Sequence, residues 1–265
     1  MKNSIAFCVL ALLALSACAP IRTDLEKYAL NCKAREVILQ SDSLELPYTA
    51  YLNSRGQLDS VVMRNFDGSF RYIETYSYNS KHQLEEIAGV NADNESEARY
   101  EFETDGKFIR ECRVYGMNNQ EVHRWVHQND GRHIVRTEYY GEGELQYITT
   151  KEFSGNKYTE QSHTPDGELI GSAEVEFFKT DSKPSRITGD QIDVEIKYDD
   201  NGLPVFCRNA VLNSHGEMEW IPDLEVNPLR WYSYEYDERG NWISRAERVN
   251  PEGAAVAVLR RTIIY

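Results

Sequence analysis

Long apolar runs are nearly absent from this sequence. The one present, Ile5–Leu15, is about 11 residues long, against the roughly 20 that a membrane-spanning helix needs. Cysteine is scarce, with five in 265 residues and no two at C-x-x-C spacing, which excludes zinc ribbons and dithiol redox motifs. No G-x-S-x-G, H-E-x-x-H, phosphate loop or dinucleotide fingerprint occurs, so the enzyme classes built on them are excluded. Positive charge is in deficit, with 29 Lys and Arg against 43 Asp and Glu and a net charge of −14. That balance excludes nucleic acid, whose binding depends on cationic contacts to phosphate, and argues against adhesion to anionic headgroups. An acidic surface of this kind keeps a protein solvated, with a cationic partner as the alternative reading.

What is present begins with a leader. Lys2 precedes the apolar run, and Leu15-Ser16-Ala17-Cys18 closes it. A charged start, a short apolar stretch and small residues at its end fit a cleaved signal. A cysteine directly after the small residues fits a lipoprotein signal, in which Cys18 becomes the acylated first residue. An ordinary secretory cut near Ala17 is the alternative. On the first reading residues 1–17 are the signal peptide and 18–32 a lipidated tether, and 33–265 form the body. No second run is long enough to span a bilayer, so the body is expected to be soluble. Beyond Cys18 three cysteines remain, Cys32, Cys112 and Cys207, as free thiols or as one bridge and a thiol left over.

The body repeats itself. Tyr234-Glu235-Tyr236-Asp237-Glu238-Arg239-Gly240-Asn241-Trp242, Tyr76-Ser77-Tyr78-Asn79-Ser80-Lys81-His82-Gln83-Leu84 and Tyr100-Glu101-Phe102-Glu103-Thr104-Asp105-Gly106-Lys107-Phe108 share one plan. Weaker copies occur at 50–58 and 196–203. The recurrence is about 25 residues, and a second set of turns, such as Phe66-Asp67-Gly68 and Thr164-Pro165-Asp166-Gly167, falls between these copies. Asn and Asp cap such turns, and Gly accepts their positive φ. Between turns the runs alternate: Ile192, Val194, Ile196 and Tyr198 share one face against Asp193, Glu195 and Lys197. Thr23-Asp24-Leu25-Glu26 has the form of a capping box and marks a candidate short helix; a direct entry into a strand near Arg35–Gln40 is the rival. About 15 strands are expected, too many for one flat sheet because twist accumulates. The fold expected is all-β, an antiparallel meander of repeated hairpins forming a curled open sheet, spiral or incomplete barrel.

Tyr234-x-Tyr236-Asp237-x-x-Gly240-Asn241-Trp242 resembles the YD repeat of RHS-type proteins. From about residue 28 to 265 the chain is similar to small lipoproteins of Bacteroidetes-like bacteria that carry degenerate copies of it. The resemblance implies a β-hairpin architecture and a cell-envelope location, lipid-anchored, with the outer membrane expected and its periplasmic or surface face left open. It transfers no catalytic residues.

Candidate chemistry is thin. His123 and His127 share a face at i, i+4, but on a strand they sit roughly 13 Å apart. His127 and His133 flank the Asn129-Asp130-Gly131 turn, facing each other or not according to its length. Asp199-Asp200-Asn201 has oxygen ligands for calcium, yet turn chemistry already accounts for it. No catalytic, cofactor-binding or metal residues are assigned, and no cofactor is called for. Trp220, Trp231 and Trp242 are candidate ligand-contact aromatics. The function expected is a non-catalytic envelope lipoprotein that binds or scaffolds. Its partners are the membrane, through the lipid, and an envelope protein or glycan. A glycan hydrolase or glycan-binding lipoprotein is the alternative.

Overall fold

A computed structural model of the chain describes residues 30, 32–41, 46–178, 183–189, 192–212, 218–220 and 229–265. These contain strands and turns and no helix; the candidate helix after Thr23 lies outside them, apart from Leu30 and Cys32. The strands are β1 (Glu36–Ser41), β2 (Tyr48–Leu52), β3 (Leu58–Arg64), β4 (Phe70–Tyr78), β5 (Leu84–Asn91), β6 (Ser96–Asp105) and β7 (Phe108–Tyr115). They continue with β8 (Glu121–Asn129), β9 (Ile134–Gly141), β10 (Glu144–Ser154), β11 (Lys157–His163), β12 (Leu169–Phe177), β13 (Pro184–Gly189) and β14 (Ile192–Tyr198). The last are β15 (Pro204–Arg208), β16 (Ala210–Leu212), β17 (Met218–Trp220), β18 (Leu229–Tyr236), β19 (Trp242–Arg248) and β20 (Ala257–Ile264).

The meander is antiparallel throughout, as expected, but the sheet is not open. β1 pairs with β2 on one side and with β20 on the other, from Glu36↔Ile264 to Ser41↔Leu259. Eighteen strands therefore form a closed barrel, and β16 and β17 pair separately. This corrects the curled open sheet, spiral or incomplete barrel. The reason is physical: an open meander leaves two rows of unpaired backbone groups, and closure satisfies each with the other. Three features of the closing seam add to it. Asn241, fully buried, donates to Tyr265 Oη at 2.7 Å; Tyr265 in turn donates to Asp237; and Arg35 Nε donates to Tyr265 O at 3.1 Å. Burial works against the Asp237 carboxylate, but the hydrogen bonds from Tyr265 and from the Asn241 and Arg239 amides outweigh it and hold its pKa below the usual range.

The described chain enters and leaves at the same end of the barrel, here termed the near end. Its turns and those of the far end share one construction. In the turns that begin at Asn53, Asn79, Asp199 and Asp237 (near) and Asn65, Asn91, Gly116 and Thr164 (far), the first N–H donates to the fifth carbonyl and the fourth N–H to the first. The fourth residue has positive φ, 76° at Gly240 and 63° at His82. Glycine takes that conformation without cost; His82, Asn94 and Asn119 take it elsewhere in the series. At the near end neighbouring hairpins are also tied sideways. Tyr78, Tyr198 and Tyr234 donate to the carbonyls of Leu58, Pro184 and Pro204 at 2.8, 2.7 and 2.8 Å. Gln57 donates to His82 O at 2.8 Å, and Gln83 to Gly106 O.

Alternation sends charged residues outward. Lys157, Glu176, Arg186, Glu195 and Arg208 stand opposite one another across β11 to β15, so the sign alternates along the row. Arg99, Glu101, Glu103 and Arg113 form ion pairs on β6 and β7. Such cross-strand pairs contribute about 0.2–1 kcal/mol each. Against lipid, one Lys or Arg at mid-bilayer costs about 2–4 kcal/mol, so this wall is built to face water. Inside, one apolar cluster centres on Val175, Ile187, Val194, Ile196 and Cys207, and another on Val37, Leu39, Ala50, Leu58 and Trp242. Leu30 and Ala34 join the second cluster and dock the entering chain. Leu39→Ala is expected to lower stability by about 2–5 kcal/mol and Glu195→Gln by less than about 1 kcal/mol, read by chemical denaturation.

Candidate functional site

The inner wall changes character around the ring. From β10 through β20 to β3 it is packed, and the β16–β17 hairpin adds to it. Leu212 N–H donates to Tyr232 Oη at 3.0 Å, and Arg245 Nη2 donates to Leu212 O at 3.2 Å. Tyr232 and Arg245 are both buried inward-facing residues, so β16 lies across the interior. From β4 to β10 the wall is half-buried, and towards the far end it is lined by rings and hydroxyls. This half-covered stretch is the candidate site.

Alternation on β8 points His123, Trp125 and His127 inward, and the register sets Trp125 beside Tyr139 and Tyr139 beside Tyr147. The His123, Trp125 and Tyr139 rings lie with centroids 5.2–5.9 Å apart, and Tyr139 and Tyr147 at 4.7 Å. Tyr139 Oη is 2.8 Å from His123 Nδ1. Burial raises the Tyr147 pKa, with the neighbouring Tyr139 adding and a hydrogen bond from Trp125 opposing. Further round, Glu74 accepts a hydrogen bond from Tyr76 at 2.7 Å. Tyr72 lies over Gly89, where any Cβ would collide with its ring. Burial, then the charge of Glu74, raises the pKa of Tyr72 and of Tyr100. One carboxylate thus sits among three phenols.

Deeper in, the polar groups are paired. Lys151 and Glu160 form an ion pair at 3.2 Å, His127 Nδ1 is 2.9 Å from Thr137 Oγ1, and Thr149 bonds Ser162 at 2.8 Å. Burial, with Lys151 nearby, pushes the His127 pKa down to about 4. Towards the near end the wall turns apolar, with His133 stacked on Phe153 at 3.9 Å. The arrangement offers flat ring faces and hydroxyls, with the Glu74 carboxylate among them. Among the described residues no group of three or more His, Cys, Asp or Glu is placed to hold a metal ion.

The residues singled out in the sequence fall in different places. Cys18 lies outside the described residues. Trp220 belongs to β17. Trp231 faces outward, 5.4 Å from Phe206, whereas Trp242 is buried inside with Arg261 3.7 Å over its ring. Trp231 and Trp242 therefore stand on opposite faces of the sheet. His127 pairs in register with Thr137, not His133, because four residues separate β8 from β9. Asp199 caps its own turn through Leu203 N–H at 2.8 Å and accepts from Tyr236 at 3.1 Å. Cys32, Cys112 and Cys207 are free thiols. Burial pushes Cys112 and Cys207 up to about 12, the nearby Glu111 carboxylate adding to it at Cys112. Trp125, Tyr139 and Tyr147 were missed; the signal present was the alternation of His123, Trp125 and His127 along one strand.

No protein-family model matches the sequence, and no curated protein does. Among solved structures, the chain is similar to a porin-like protein from Bacteroides uniformis ATCC 8492, at 13% identity and a TM-score of 0.44, over 87% of this chain and 97% of that one. It is also similar to a porin-like protein from Bacteroides vulgatus ATCC 8482, at 10% identity and 0.42, over 88% and 98%. A third likeness, at 14% identity and 0.25, is to TcdB2-TccC3 without its hypervariable C-terminal region, over 83% of this chain and 12% of that one.

Two measurements check the inner wall. Cys112 and Cys207 are expected to resist Ellman's reagent in the native protein and to react once denaturant is added. His127 is held below the usual histidine value of 6.5, so its contribution is complete above pH 6.5 and is lost as pH falls towards 4. Between pH 7 and 5 that amounts to about 2 kcal/mol. His127→Gln is expected to flatten this part of the stability–pH curve.

Proposed function

We propose that this protein is a non-catalytic lipoprotein of the cell envelope, anchored by an acylated Cys18, that binds or scaffolds through the far end of its barrel. The observation that carries the reading is the placement of the two ends. The chain docks through Leu30 and Ala34 at the near end, so Cys18 lies within roughly 40 Å of that end, given at most about 3.5 Å per residue. The ring-lined, half-covered wall lies towards the other end, away from the anchor. The charged outer wall supports a water-facing barrel held by lipid rather than a barrel that crosses the bilayer. Acyl chains contribute about 0.8 kcal/mol per buried methylene, and two or more anchor stably.

A second reading, glycan binding, is favoured by one observation. Trp125, Tyr139 and Tyr147 offer half-covered ring faces beside hydroxyls, the combination that a sugar ring stacks on and bonds to. A hydrolase needs two carboxyls facing each other; on this wall Glu74 accepts a hydrogen bond from Tyr76 and Glu160 is paired with Lys151.

The tether is tested by fractionation. The native protein is expected in membranes and labelled by a fatty-acid probe, and the Cys18→Ser form in the aqueous phase of a detergent phase separation. Equal partition of the two forms overturns the lipoprotein reading. For the glycan reading, Trp125→Ala is expected to weaken binding to an envelope polysaccharide at least tenfold while near-UV circular dichroism reports an intact barrel.

A further inference from the structure

The two ends of the barrel use the same turn and fill it with opposite chemistry. At the near end, the second positions of the four matched turns are Ser54, Ser80, Asp200 and Glu238, and the third positions are Arg55, Lys81, Asn201 and Arg239. At the far end, the second positions are Phe66, Ala92, Met117 and Pro165, and the third are Asp67, Asp93, Asn118 and Asp166. The hydrogen bonds that define the turn are the same in all eight, so turn geometry does not account for the difference. Ser69 and Thr164 hydrogen-bond to Asp67 and Asp166, which leaves the negative charge in place. Among the described residues, the far-end connections 65–69, 92–95, 116–120, 142–143, 164–168 and 249–256 contain no Lys or Arg.

The far end also gathers apolar side chains that the fold does not bury. Phe66 is 62% exposed and Met117 76%, and Leu169, Ile170, Val249 and Val256 are exposed there as well. Single exposed apolar residues are ordinary, and at the near end only Tyr51 and Tyr236, just over one-third exposed, compare with them among the described residues; a set gathered this strongly at one end marks an interaction surface. Carboxylates interleave with them, as in Phe66-Asp67 and Glu168-Leu169.

We propose that the far end is a docking surface for a protein segment carrying Lys or Arg together with apolar side chains. Charge complementarity selects such a partner and sets its rate of encounter, and the apolar tips give it something to bury. An anionic lipid surface is disfavoured by the carboxylates. A second copy is disfavoured too: its own far end repels, and its near end brings cations but polar second positions that leave the apolar tips uncovered. The proposal deepens the binding reading by naming the partner's chemistry. It rests on the barrel alone, so it stands or falls independently of the acyl anchor.

The test uses the purified protein and three synthetic amphipathic peptides of equal length, built from Leu and Lys, Leu and Glu, and Ser and Lys, followed by fluorescence anisotropy at physiological salt. The Leu/Lys peptide is expected to bind at least tenfold more tightly than either control. Phe66→Ser combined with Met117→Ser, and separately Asp93→Lys combined with Asp166→Lys, are each expected to weaken it at least tenfold. Asp200→Asn combined with Glu238→Gln, at the near end, is expected to leave it unchanged. All six positions are turn tips, and circular dichroism confirms that the barrel is retained. Equal binding of the three peptides, equal loss from near-end and far-end changes, or concentration-dependent self-association that the far-end changes abolish would each overturn the proposal.

Discussion

The closing pair, β1 with β20, is the constraint on which the rest of this structure depends. Once eighteen strands form a ring, every backbone row has a partner and each side chain must be either inside or outside. The period of two then sorts the sequence: Val194 and Ile196 go in, Asp193 and Glu195 go out. The outer wall accordingly carries alternating charge, and the inner wall has to be filled by side chains from all round the ring and by a hairpin laid across it. The clasp at the seam uses residues from three places, Arg35, the Asp237–Asn241 turn and Tyr265, so the two ends of the barrel domain are held by the same group of contacts.

The interior is not purely apolar, and its charges are tolerated for identifiable reasons. Lys151 meets Glu160, and Arg230 meets Glu247 at 2.7 Å. Arg245 donates to the hairpin carbonyl of Leu212, and Arg261 to Trp242 O while stacking on that ring. Removing one partner of such a pair costs more than the pair contributes, because it strands a charge away from water. These contacts therefore specify where the hairpin and β19 sit more than they add to stability. The half-covered wall from β4 to β10 differs in having rings and hydroxyls with few such ties. It is the part of the interior with side chains left to offer a ligand.

Much of this was legible in the sequence. Alternation marked the strands, and Asn, Asp and Gly at matching spacing marked the turns. The copy nearest the repeat pattern, Tyr234 to Trp242, is the one that forms the closing clasp. Three things were not legible. Closure was hidden because the second partner of Ala257–Ile264, β1, lies more than two hundred residues away, and nothing local points to it. The face taken by each tryptophan depends on bulges, such as the shift between Glu235 and Tyr236, and one extra residue reverses the direction of a side chain. Net charge averaged two unlike ends, and only the topology shows that Arg55, Lys81 and Arg239 belong to one end and Asp67, Asp93 and Asp166 to the other.

The ring also has a history written into it. Apart from β15 with β18, across the β16–β17 hairpin, every pairing around the ring joins strands that follow one another in the chain, except the last, which joins the first strand to the final one. Neighbouring hairpins can assemble as the polypeptide emerges, each on the one before, with low contact order and short loops to close. The final step has to wait for β20 and then bring distant strands together. Until it does, two unsatisfied edges face solvent, the most aggregation-prone moment in the life of the molecule. A chain interrupted anywhere before β20 is therefore a nearly complete sheet with sticky sides and no barrel, and the vulnerable interval is set by how long the last strand takes to arrive.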